Sequence, residues 1–191
     1  ATQKYDPNGE LYDPTGYTVT QGTSFAVPFV AGAVALVKQK NPRWTSAQLK
    51  SAVVNTANPD VGDTDTPSIV ASAFAMGAGR LDALAAVSAN VTVEPAVLSF
   101  GVVTTMPVSA GLVFRNTSSA PVTLALTLKG AAQQISLSRT SFSLQPGAAS
   151  DTVTVQLTGS KPAAGSYEGA IEVTGGASRL RIPFAYVVGD G

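Results

Sequence analysis

The chain has 191 residues, enough for one large domain or two small ones. Charged residues are only 13% of it, with 12 of each sign and no run of like charge, so the clustered Lys and Arg that phosphate binding needs are missing. There is no cysteine, which excludes disulfides, zinc–thiolate sites and thiol catalysis, and no histidine, so a Ser-His-Asp relay cannot be completed by this chain.

Residues 1–21 hold Asp-Pro twice, Asn8-Gly9 and Thr15-Gly16, and read as turns, with a short strand over 17–20. No signal peptide stands out, and starting at Ala1 in a polar stretch suggests a processed piece. Tyr5, Tyr12 and Tyr17 read as packing or cleft wall.

One long helix is expected from about Ser24 to Lys40, roughly 25 Å long. Phe25, Val27, Val30, Val34, Leu36 and Val37 point nearly all round it, with Ala and Gly between them. A helix apolar on every side is built to be buried. It is too short and Ala-rich to span a bilayer.

Thr45-Ser-Ala-Gln48 fits a capping box, so a second helix starts there, with Leu49, Val53 and Thr56 facing inward and Asn58-Pro59 as its stop. Residues 58–68 form a loop. A third helix is expected over Leu81–Ala89, after the turn at Gly77-Ala-Gly79.

The pattern changes at residues 89–93. Strands are expected near 97–100, 108–116, 121–128, 134–138, 151–158, 166–174 and 179–187, parted by turns such as Gln145-Pro-Gly147 and Gly175-Gly176. This spacing predicts a β-sandwich of about 95 residues. Pro183 suggests an edge or terminal position for the last strand.

The chemistry is concentrated in Gly22-Thr-Ser-Phe-Ala-Val-Pro28. It puts a serine at the mouth of a helix, where unpaired N–H groups carry partial positive charge and can stabilise an oxyanion. A lone serine there would be read as an N-cap. The whole string resembles the serine motif of the subtilisin family, Gly-Thr-Ser-x-Ala-x-Pro before a long buried helix. Asn41 to Lys50 leading into Val53-Val-Asn-Thr-Ala57, and Gly77-Ala-Gly-Arg-Leu-Asp-Ala83, are similar to later family segments in the same order.

The resemblance covers about residues 17–89 and implies a serine endopeptidase with Ser24 as nucleophile, its own N–H being one oxyanion-hole donor. The family order is Asp, His, Ser, so the Asp, the His and the Asn completing the oxyanion hole would lie upstream of Ala1. The fragment alone is then expected to be inactive, and its partners to be a peptide or protein substrate and the missing N-terminal part of the catalytic domain. Many members have His after the motif's proline; Phe29 stands here, at a position that is not the base. The sedolisin family shares Gly-Thr-Ser and uses Glu, but only Glu10 precedes Ser24.

The implied fold class is an α/β remnant, the mostly helical C-terminal part of a subtilisin-like fold, plus an all-β sandwich. The domains are 1–90 and 91–191. Pro95 to Gly101, Tyr167 to Thr174 and Leu180 to Phe184 look like the fibronectin III-like or Ig-like modules of extracellular subtilases, which implies a secreted protein. The buried helix would lack most of its sheet, so residues 1–89 are expected to bury it incompletely or against another copy of the chain.

No cofactor is assigned. Asp60, Asp63 and Asp65 form an acidic cluster, and calcium sites are common in the family. The spacing does not fit an EF-hand, so a solvated loop is favoured and calcium is left open for the full-length protein. Asn90 and Asn116 stand in glycosylation sequons, without meaning unless the source is eukaryotic. The competing reading is a non-catalytic binding or adhesion protein that reuses a subtilase remnant; a third is a regulatory or domain-swapped piece that pairs with a separate N-terminal half.

Overall fold

The computed structural model describes residues 22–62, 66, 69–130, 134–177 and 179–189. Residues 1–32 and 33–191 are two compact units, and helix α1 (Thr23–Lys40) runs through the division. In the first unit, residues 23–32 form the start of α1, with Phe25 54%, Val27 62% and Phe29 73% exposed. Along all of α1 only Ala33 and Val37 are buried.

In the second unit, the end of α1 is followed by α2 (Ser46–Asn55), α3 (Ala73–Met76) and α4 (Ala83–Ser88). The expected capping box is present: the Thr45 N–H donates to Gln48 Oε1 at 2.9 Å and the Gln48 N–H to Thr45 Oγ1 at 3.3 Å. Val37, Ala52, Val53, Ala86 and Ala89 share a small core, with Trp44 and Leu49 packed against it. Small alanines let these short helices approach closely. Lys38 and Lys40, in the last turn of α1, donate to the carbonyls of Trp44 and Val87.

Nine strands follow: β1 (Val91–Glu94), β2 (Leu98–Val102), β3 (Val108–Asn116), β4 (Val122–Gly130), β5 (Ile135–Leu137), β6 (Ser141–Leu144), β7 (Val153–Leu157), β8 (Gly165–Thr174) and β9 (Leu180–Val188). They make one sheet in the order β1-β3-β7-β5 and another in the order β2-β9-β8-β4-β6. Pairings are antiparallel except β2 with β9, which is parallel. A parallel pair needs a long connection, and these strands come from opposite ends of the β-rich stretch. Burial alternates along β3, β4 and β7, so every second side chain enters one core around Leu112, Phe114, Val155, Ile171, Ile182 and Phe184.

The fold class expected from sequence is corrected here. The described residues are 40% strand and 24% helix, in two sheets, so the chain is not a mostly helical α/β remnant. Before Val91 the only strand-type pairings among the described residues are the isolated bridges Asn58–Arg80 and Gly62–Val70. The helices there are cut short by Pro59 and Gly77, whereas the β-branched residues after position 90 pair into long ladders. The strand expected over 17–20 lies outside the described residues.

Of the edge or terminal position expected from Pro183, the edge is not found, since β9 lies between β2 and β8, while β9 is the last strand among the described residues. Pairing with β2 begins at Phe184, so the missing proline N–H falls before that ladder starts.

Candidate functional site

Gly22 precedes α1 with φ 150°, a backbone conformation that favours glycine. The Phe25 N–H bonds back to the Gly22 carbonyl at 3.0 Å, closing the first turn around Thr23 and Ser24. Ser24 is exposed. No acidic residue stands in that turn to neutralise the partial positive charge of the helix start. Pro28 lies inside the helix, and it has no N–H to donate to the Ser24 carbonyl four residues back. The motif therefore builds an exposed serine on a helix N-terminus. A helix start of this kind can hold a developing negative charge, but it cannot remove the serine proton.

The other sequence candidates divide. Gly79, at φ 123°, lies against the Asn58 carbonyl, and the Asn58 and Arg80 backbones exchange two hydrogen bonds of 2.8 Å. The Gly77-Ala-Gly79 turn thus closes the loop after α2. Asp60 is exposed; Asp63, Asp65, Glu10 and the tyrosines at 5, 12 and 17 lie outside the described residues. Among the described residues, no three His, Cys, Asp or Glu gather to hold a metal, and no helix is long and apolar enough to cross a membrane.

Of the two sequon asparagines, Asn116 is not presented as an acceptor. Asn116 is fully buried and gives both amide hydrogens to the Ala120 and Leu144 carbonyls. Asn90 Oδ1 accepts from Ala177 N–H, and its partner Thr92 is 3% exposed.

A cleft of about 500 Å³ opens between the C-terminal end of α2, α4 and the β8–β9 hairpin. Asn58, Asp82 and the ion pair Glu172–Arg179, at 3.2 Å, line it; Ser24 does not. Sequence reasoning singled out neither Ser51 nor Asn55, although Asn55 stands within the Val53–Ala57 segment. Both are fully buried, and polar residues on a helix are ordinarily read as solvent-facing. Their spacing of four residues, on one side of α2, was the signal available.

Residues 2–79 match the subtilase family, peptidase S8. It is 33% identical over 189 residues to the minor extracellular protease Vpr of Bacillus subtilis (strain 168), covering 95% of this chain and 23% of that protein. It is 40% identical over 94 residues to the subtilisin-like protease SBT4.13 of Arabidopsis thaliana, covering 47% of this chain and 13% of that one. The chain therefore spans less than a quarter of either relative. The likeness to Vpr runs through the β-rich stretch as well as the helices. Among solved structures, a PapD-like domain of human CEP192 superposes with a TM-score of 0.42 at 15% identity, over 55% of this chain and 88% of that one.

Proposed function

We propose that this chain carries the nucleophile, Ser24, of a subtilisin-like serine endopeptidase and works as part of a longer protein. Residues 1–90 would be the C-terminal part of the catalytic domain and residues 91–191 an appended β-module. The observation that carries this is Gly22-Thr-Ser24 at the start of α1, inside the segment that matches the subtilases. Ser24 Oγ attacks the peptide carbonyl, and the oxyanion is held by N–H groups at the helix start. The proton goes to a histidine, which this chain lacks and which the rest of the longer protein must provide with its aspartate.

A peptide or protein substrate follows from this chemistry. Secretion is supported by the extracellular relative. The 191-residue chain alone is inactive on this reading, because Ser24 without a base is an ordinary alcohol.

The test is hydrolysis of a casein or peptide substrate by the longer protein. Replacing Ser24 by Ala should lower kcat by about a millionfold, as loss of a triad nucleophile does. Equal activity in Ser24→Ala would remove Ser24 from the mechanism. No activity in the parent, shown to be folded, would favour a non-catalytic binding protein.

A further inference from the structure

The helical segment and the β-sandwich are joined without a linker, since α4 ends at Ser88 and β1 begins at Val91. β1 is the edge of its sheet, and an edge leaves amides unpaired. Here the Val93 N–H donates to Ser51 Oγ at 2.8 Å, and Ser51 Oγ donates to Asn55 Oδ1 at 2.9 Å. Asn55 Nδ2 then donates to the Ala96 carbonyl at 2.6 Å, where the chain crosses between the sheets, and to the Arg181 carbonyl of β9 at 2.9 Å. Two side chains of α2 thus hold both sheets, and both are fully buried.

A second tether lies further along the same sheet. Glu168 of β8 accepts at Oε2 from Ser72 Oγ at 2.8 Å and from the Phe74 N–H at 3.3 Å, fixing the start of α3. Between the tethers, Ala170 and Pro183 face away from the sandwich core and are nevertheless buried. A tethered module would keep this face polar and wet.

We propose that edge strand β1 and the outer face of the five-stranded sheet are a built docking surface for α2 and α3, so that residues 33–191 unfold as one cooperative unit. The sandwich is then the scaffold of the subtilase-related helices and not a module free to swing from them. This goes beyond the proposed function and stands whether or not Ser24 is a nucleophile.

Amide hydrogen exchange on the 191-residue chain tests it. The slowest amides of α2 and of β9 should share one protection factor. In Asn55→Leu both should fall together, by about 10- to 100-fold for the loss of buried bonds. Glu168→Gln, at an exposed tether, should lower both together by about 3- to 10-fold, and it decides the matter with the parent chain if Asn55→Leu does not fold. If α2 exchanges far faster than β9 in the parent, or falls alone in the variants, the sandwich is an independent module and the proposal is wrong.

Discussion

Gly77 and Gly79 stand two residues apart in one turn, yet they should respond differently to substitution. A Cβ on Gly77 would meet nothing within 4 Å, so Gly77→Ala carries only the backbone strain of φ 61° and ψ −124°, about 1–3 kcal/mol. A Cβ on Gly79 would collide with the Asn58 carbonyl, which exchanges hydrogen bonds with Arg80. Gly79→Ala should therefore cost at least twice as much, measured by urea unfolding. Tyr186 gives a prediction in pH. It is 1% exposed, its ring stacks on Tyr167 at 4.9 Å, and its hydroxyl donates to Gln134 Oε1 at 3.2 Å. Burial first, and Tyr167 second, raise its pKa above 10.0. The folded chain then keeps the phenol protonated where the unfolded chain ionises it. This group leaves stability unchanged below about pH 10 and lowers it as pH rises above that value. Tyr186→Phe should lose about 1 kcal/mol at neutral pH, for one hydrogen bond, and show a shallower alkaline decline in Tm. At this scale the sequence exposed the serine motif and the capping box, because both are local. Ser51 and Asn55 were hidden because their partners, Val93, Ala96 and Arg181, are distant in the chain.

Helix α1 was legible as an element, and its apolar circumference showed that it is built for burial. In this chain that surface remains open, with Phe29 73% and Leu36 52% exposed. Such a face should bind an apolar dye and promote self-association. Phe29→Ser should reduce both, read by ANS fluorescence and sedimentation, without lowering the Tm of residues 33–191. Equal ANS binding in the variant would place the exposed surface elsewhere. Two strands escaped sequence reading. β1 and β6 have four residues each, and the tie between β1 and Ser51 of α2 joins residues that no local pattern brings together. The four-residue α3 escaped for a related reason: it is held by a Glu168 contact from a strand far along the chain.

For the whole molecule, the division into helices and then strands was readable from where Ala-rich runs give way to β-branched ones. The expected fold class failed because a family resemblance was carried over as an architecture: the helices are short and more residues lie in strands. The likeness to Vpr itself runs through both parts, over 95% of this chain. A sandwich clamped to α2 and α3 accounts for why the β-rich stretch would travel with these helices.

The most direct measurement is labelling by a fluorophosphonate serine probe, applied to the longer protein and to the 191-residue chain, with Ser24→Ala as control. The account predicts that Ser24 is labelled in the longer protein alone, because its base comes from outside this chain. Absence of labelling in the folded longer protein, or equal labelling of Ser24→Ala, would contradict it.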